Sequence, residues 1–278
     1  MRLALSGAGA PDWPLDDELA AAAAAGYDAV ELWLPKLWAG LERSGPEAVA
    51  GLLKRRGLAA AALAPITGVT FRDRAGLEAV TAEVHGAAAL ARGLGAPWVV
   101  VQPGERPDGA DERDAFREAR HTFGRLALAA ERYDVGLAIM PIGYAWSSLR
   151  NIREAGDVIE TVGRRSLGLA LDTFHMHVAG SRPEDVGRLR ARWIGLVRLA
   201  DAPAGDVESL RDQHRLPPGD GVIPLAEIVG RVRALGADAT AVVACPLPGG
   251  HGDAAGWVTR LRERAAALLR APMPAGRR

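Results

Sequence analysis

Glycine recurs in this chain at one kind of place, after an amphipathic or alanine-rich stretch and directly before a short apolar run. Gly26 precedes Tyr27-Asp-Ala-Val-Glu-Leu-Trp33, and Gly57 precedes Leu58-Ala-Ala-Ala-Ala-Leu63. Gly95 precedes Ala96-Pro-Trp-Val-Val-Val-Gln102, and Gly236 precedes Ala237-Asp-Ala-Thr-Ala-Val-Val-Ala-Cys245. Glycine tolerates the left-handed backbone that ends a helix, so each instance reads as helix, stop, strand.

Four more strands are expected at Leu3–Ser6, Gly136–Pro141, Leu167–Asp172 and Ile194–Leu199. Their unbroken apolar character suits strands covered on both faces, as in a buried parallel sheet. Helices are expected near 16–25, 46–56, 76–94, 112–133, 149–162, 184–190, 225–235 and 254–269. Eight such pairs imply an α/β chain folded as a single-domain (β/α)8 TIM barrel over residues 1–270, with 271–278 as a flexible tail. An open dinucleotide-binding sheet fits less well. Ser6-Gly-Ala-Gly-Ala-Pro lacks the ending of a Gly-x-Gly-x-x-Gly turn, and Pro11 and Pro14 interrupt it.

Composition narrows the ligand. With 34 basic and 34 acidic residues, no excess of cation is available for phosphates, so nucleic acid is not an expected partner and a small molecule is. The lone cysteine, Cys245, excludes an intramolecular disulfide, and the first residues are too quickly interrupted to read as a signal peptide. The alanine-rich run Leu19–Ala25 is broken by Gly26 and Asp28, short of the ~20 residues that span a bilayer. A cytoplasmic protein without membrane contact is expected, and a homodimer is allowed.

Chemistry in such barrels sits where strands end and the following loops begin. The residues there are Ser6, Trp33, Pro65, Gln102, Met140 with Pro141, Asp172, Arg198 with Asp201, and Cys245 with Pro246. At Leu171-Asp-Thr-Phe-His-Met-His177 the chain resembles the sixth strand of the xylose isomerase-like barrels, a group of sugar phosphate isomerases and epimerases. That group includes inosose isomerases and dehydratases, tagatose-type epimerases and dehydroshikimate dehydratases. Gly26-Tyr-Asp-Ala-Val-Glu-Leu-Trp33 is similar to the group's second strand. Arg215-Leu-Pro-Pro-Gly-Asp-Gly-Val-Ile-Pro224 is similar to its loop after the seventh.

The resemblance implies one divalent metal held by a Glu, an Asp, a His and a second Glu from the ends of strands five to eight. Such a metal polarises the oxygens of a sugar while nearby groups move a proton. Carried over, the first Glu falls on Met140, the Asp is present as Asp172, the His falls on Arg198, and the last Glu falls on Cys245. Asp172 is thus the one retained ligand, and no resident cofactor is expected; a divalent metal is the alternative. It would have to recruit Glu154, Asp201 or Asp206. The exchange takes the quartet from a net charge of about −1 to about zero, because a guanidinium repels a cation but pairs with a carboxylate. Arg198 is therefore expected in the metal's electrostatic place, held by Asp172.

His175 resembles the group's substrate-binding histidine and titrates in a range suited to proton transfer; the alternative is a hydrogen-bonded wall residue. Asp172 is either an orienting carboxylate or the cap of the following turn. Arg215 either reaches the substrate or bridges to Asp212 or Asp220. Trp33, Trp38 and Trp146 are candidate apolar walls, and Gln102 and Tyr144 candidate polar contacts, although each also suits packing. Cys245 is read as a buried small hydrophobe more readily than as a nucleophile. A soft-metal site from Met140, Cys245 and His175 is disfavoured by Arg198, and His177 is read as structural. Glu31 is an acid inside strand two whose partner the sequence does not name. The expected chemistry is a metal-independent isomerisation, epimerisation, dehydration or cyclisation of a small polyhydroxylated or keto substrate, in natural-product biosynthesis. His175, Asp172 and Arg198 are the expected catalytic residues. Arg215, Gln102, Trp33, Tyr144, Trp146, Met140 and Cys245 are the expected substrate contacts. The alternatives are a non-catalytic ligand-binding or partner-stabilising descendant and a conventional metal-dependent enzyme.

Overall fold

Eight parallel strands close into a barrel in sequence order: β1 Leu3–Ser6, β2 Ala29–Trp33, β3 Ala59–Ile66, β4 Trp98–Val101, β5 Gly136–Ile139, β6 Leu167–Asp172, β7 Ile194–Leu199 and β8 Thr240–Val243. The computed structural model describes residues 1–247 and 253–271, without the side chains of Arg43 and Ser44. The expected tail, apart from Ala271, lies outside the described residues. No helix among the described residues is long and apolar enough to cross a membrane.

The outer ring is α1 Leu15–Ala25, α2 Leu34–Arg56, α3 Arg74–Leu94, α4 Glu112–Glu131, α5 Ile152–Val162, α6 Thr173–Val178, α7 Pro183–Val186, α8 Leu225–Ala234 and α9 Ala254–Arg270. The glycine stops act as the sequence implies. Gly26, Gly57 and Gly95 each end a helix at φ between 66° and 83° and hand the chain to the next strand. Side-chain caps fix several starts, with Asp73 accepting from Gly76 N and Asn151 from the amides of Arg153 and Glu154.

Three elements differ from the sequence reading. The second helix begins at Leu34 rather than near Pro46 and breaks at Gly45, whose φ of 74° is not helical. The stretch expected as a helix over 184–190 forms only the short α7 turn. A short helix, α6, follows β6 without a loop, and this is what turns His175 back toward the barrel.

Two layers of apolar side chains divide the core. The larger lies between strands and helices. The smaller fills the barrel with Ala4, Ala29, Ala62, Val100, Ala138, Ala170, Leu196 and Val242. The alanines leave the floor to one large residue, Trp98. A Cβ on Gly136, Gly168 or Gly195 would come within 2.3–2.7 Å of its ring, so three neighbouring strands carry glycine where the indole lies. Above that plug the strand-end residues form the mouth.

Candidate active site

Side chains alternate along a strand, so the residue two positions beyond each barrel-filling one also points inward, at the mouth. Ala4 leads to Ser6, Ala29 to Glu31, Val100 to Gln102, Ala138 to Met140, Ala170 to Asp172 and Leu196 to Arg198. Val242 leads to Ala244, whereas Cys245 packs into the outer layer, so the inward position at the end of β8 is Ala244 and not Cys245. This corrects the strand-end assignment.

A chain of alternating charges crosses the mouth. Asp172 and Arg198 are register partners on β6 and β7, and Arg198 Nε donates to Asp172 Oδ2 at 3.2 Å. The other end of the same guanidinium, Nη1, bonds Glu31 Oε2, which also accepts from Ser6 Oγ at 2.6 Å. Arg215, from the loop after β7, donates Nη1 to Asp172 Oδ1 at 3.0 Å and Nε to Asp212 Oδ1 at 2.8 Å. Glu31 thus supplies the holder that the sequence did not name. Arg215 bridges to Asp212 rather than Asp220, and it also stands at the mouth. Three carboxylates face two guanidiniums, so the mouth carries about one negative charge, not the neutral balance expected from Asp172 and Arg198 alone.

Burial by itself disfavours every one of these charges, and pairing overrides it. Asp172 is buried, yet Arg215, His175 and Arg198 hold its carboxyl well below the usual range. Arg198 is likewise buried, and Glu31 and Asp172 keep it firmly protonated. Asp172 also accepts from His175 N at 3.1 Å, so it caps α6 while it orients the arginines.

His175 behaves differently. Burial pushes its imidazole down to about 4, against the opposing pull of Asp172, so the ring is neutral near pH 7. Its Nδ1 is enclosed with no partner among the described residues, and its Nε2 lies 3.7 Å from Asp212 Oδ1. Tyr144 stands edge-on to the ring with centroids 5.3 Å apart and donates its hydroxyl to Asp212 Oδ2 at 2.9 Å. Gly143 allows this approach, because a Cβ there would sit 2.4 Å from the His175 carbonyl oxygen.

Over these groups opens a cavity of about 570 Å³. Ser6, Trp33, Gln102, Met140, His175, Arg198, Arg215 and Cys245 all line it, as do Asp212 and Ala244, which sequence reasoning had not placed there. Asp172 and Glu31, each 1 % exposed, are not among the lining residues and reach the cavity only through the arginines. Tyr144 stands one layer back, behind Asp212. Trp146 is 47 % exposed, stacks on Tyr144 and does not line the cavity, and neither does Trp38. Cys245 donates its thiol to Leu216 O at 3.2 Å, and burial pushes it up to about 12, which removes the nucleophile reading. The signal for Asp212 was its place three residues before Arg215; for Glu31 it was an acid inside an apolar strand.

These residues do not fit a divalent cation. Both oxygens of Asp172 are committed to arginine, the Met140 thioether is a soft donor, and Ala244, inward at the end of β8, offers no side-chain donor at all. No group of three or more histidine, cysteine or carboxylate side chains disposed to hold a metal occurs among the described residues. The acids that a metal would have to recruit are engaged elsewhere. Asp201 accepts the amides of Ala202, Gly219 and Ile223, Glu154 accepts from Arg150 N and Asn151, and Asp206 caps a turn at Glu208.

Comparison with known proteins agrees with the fold. The inosose isomerase of Halalkalibacterium halodurans is 28% identical over 165 residues, 59% of this chain and 58% of that protein. The match therefore spans less than two thirds of that relative. A putative hydroxypyruvate isomerase of Streptomyces coelicolor is 29% identical over 247 residues, 81% of this chain and 83% of its own length. An epimerase and a dehydratase also occur among the curated relatives. A 1.8 Å crystal structure of the IOLI protein with a binding zinc atom superposes with a TM-score of 0.91 at 22% identity, over 97% of this chain and 98% of that one. The family model for the xylose isomerase-like TIM barrel matches residues 19–264, so the chain belongs to that family.

Proposed function

We propose that the protein is an enzyme of the isomerase, epimerase or lyase kind that moves a proton on a small polyhydroxylated or keto substrate, without a resident metal. The observation that carries the reading is the convergence, on one cavity, of a neutral imidazole and a guanidinium fixed at two of its nitrogens. Neutral at physiological pH, His175 starts as the base and takes the proton from the carbon beside the carbonyl. Arg198, with Arg215 behind it, faces the oxygen on which negative charge then develops. Returning the proton to the neighbouring carbon is isomerisation, and returning it to the opposite face is epimerisation. Expelling a β-hydroxyl is dehydration. A guanidinium polarises a carbonyl less than a bound dication does, so a substrate with a more acidic C–H than a plain sugar fits best. Tailoring of a natural product is such a setting.

The names of the relatives supply the first probes. An inosose, hydroxypyruvate and a ketohexose are incubated with chelator-treated protein in D2O, and loss of the C–H signal is followed by NMR. Exchange that disappears in a folded His175→Ala variant is the expected result, and undiminished exchange in that variant would remove His175 from the base role.

One observation favours a second reading, a ligand-binding barrel without turnover. The charges at the mouth satisfy one another, and an imidazole at about 4 is a weak base. Saturable binding of a probe with no exchange would select it.

A further inference from the structure

We propose that the cavity selects an uncharged cyclic ketone with an apolar face, poorer in hydroxyls than a sugar, and that it rejects phosphorylated and carboxylated ligands. The inference narrows the substrate class given above and rests on the same mouth being the place where substrate binds.

Charge excludes anions. Arg198 and Arg215 are the permanent cations lining the cavity among the described residues, and both are already matched. Arg198 faces Glu31 and Asp172, and Arg215 faces Asp172 and Asp212. Asp12 adds a further acid to the lining. A phosphate or carboxylate is held by unmatched guanidinium or ammonium groups, or by the bare amides of a helix start. Here the His175 amide at the start of α6 is taken by Asp172. An added anion therefore meets a net negative mouth with no vacant counter-charge. A neutral carbonyl oxygen still finds Arg198 Nη2, which bonds no other group among the described residues.

The wall disfavours polyols. Trp33, Pro65, Met140, Ala244, Pro246 and Leu247 supply carbon surface, and the indole offers a flat ring against which another ring can lie. Uncommitted polar groups are few: the side-chain amides of Gln102 and Gln213, Arg198 Nη2 and His175 Nε2. Ser6 Oγ is engaged by Glu31, and the two Asp212 oxygens accept from Arg215 and Tyr144. A ring hydroxylated at every carbon would press several hydroxyls against carbon without a partner, and each unpaired buried hydroxyl weakens binding. A ring that bears a carbonyl and few hydroxyls matches the set, with its apolar face on the carbon wall. The cavity of about 570 Å³ has room for a bicyclic ligand of this kind.

The test uses the full chain and reads binding, so its outcome is separate from that of the reaction proposed above. The neutral bicyclic ketone β-tetralone, fructose, an inosose, hydroxypyruvate and a ketohexose phosphate are each titrated by calorimetry into wild type, Trp33→Ala and Leu247→Ser, with fold checked by circular dichroism. In wild type β-tetralone is expected to bind at least about tenfold more tightly than either neutral polyol, the equivalent of roughly two buried methylene groups. The two anions are expected to show no saturable binding, and the advantage of β-tetralone should fall in each variant. If Trp33→Ala does not fold, Leu247→Ser decides. Saturable binding of either anion, polyol binding as tight as that of β-tetralone, no binding of β-tetralone, or an advantage unchanged in the folded variants overturns the inference. Tight β-tetralone binding without His175-dependent C–H exchange in D2O supports the inference while the catalytic reading fails. His175-dependent exchange on an anionic probe does the reverse.

Discussion

Glu31 and Arg198 lie 167 positions apart in the chain and meet across the barrel mouth as a buried ion pair, with β1 and β8 between their strands. Taking away one member of such a pair leaves an uncompensated charge in a dry place, which costs about 3–5 kcal/mol. Glu31→Ala should therefore lower the free energy of unfolding by that much, read from the shift of the denaturant midpoint. An unchanged midpoint would mean that the pair is not buried in solution.

The pH dependence of stability should carry the signature of His175. Its folded-state value of about 4 lies below the ordinary 6.5, so between those pH values the unfolded chain binds a proton that the folded chain refuses. Stability is full above pH 6.5 and falls as pH drops toward 4, by about 3 kcal/mol over the whole shift. Asp172 acts in the same direction at lower pH, because its depressed carboxyl loses its stabilising pairs only below the usual carboxylate range. Urea midpoints between pH 4 and pH 7 should flatten in His175→Gln and stay flat above pH 7 in both proteins.

Asp212 should tune that imidazole. Its charge supports protonation of His175, whereas Arg215 opposes it. Asp212→Asn is expected to lower the His175 value further, seen as a downfield-to-upfield transition of its Cε1 proton displaced to lower pH. An unmoved transition would place Asp212 away from the ring.

The barrel floor should be intolerant of a single methyl group. A Cβ on Gly195 would sit 2.4 Å from the Trp98 ring, so Gly195→Ala should destabilise by about 1–3 kcal/mol through overpacking. In a Trp98→Leu background the same substitution should lose most of that effect. Equal penalties in both backgrounds would detach the glycine from the indole.

Cys245 should be inert in the folded protein. Its thiol is buried, bonded to Leu216 O and pushed up to about 12. At pH 8 an aromatic disulfide reagent should label it only after denaturant is added, and Cys245→Ser should leave any turnover in place. Rapid labelling of native protein would restore a reactive thiol at the mouth.

Much of this molecule was legible in one dimension. The glycine stops and apolar runs fix helix ends and strands because they depend on local backbone freedom and on burial of both strand faces. Asp172, His175, Arg198 and Arg215 were legible through a short motif and a loop signature, and all four stand at the mouth. Tyr144 and Trp146 misled, because an aromatic near a strand end gives no sign of whether it faces the cavity or backs the residue that does. The eighth-strand position misled by one residue, because a slip of one reverses the side to which a side chain points.

By itself, then, the sequence determined the barrel and the order of its strands and helices, since both follow from residue type and spacing along the chain. Only the tertiary structure decided which charges pair. Glu31 meets Arg198, Asp212 meets Arg215 and Tyr144, and His175 is driven neutral. Those outcomes depend on closure of the barrel, which brings distant strand ends together and excludes the water that would otherwise screen each charge.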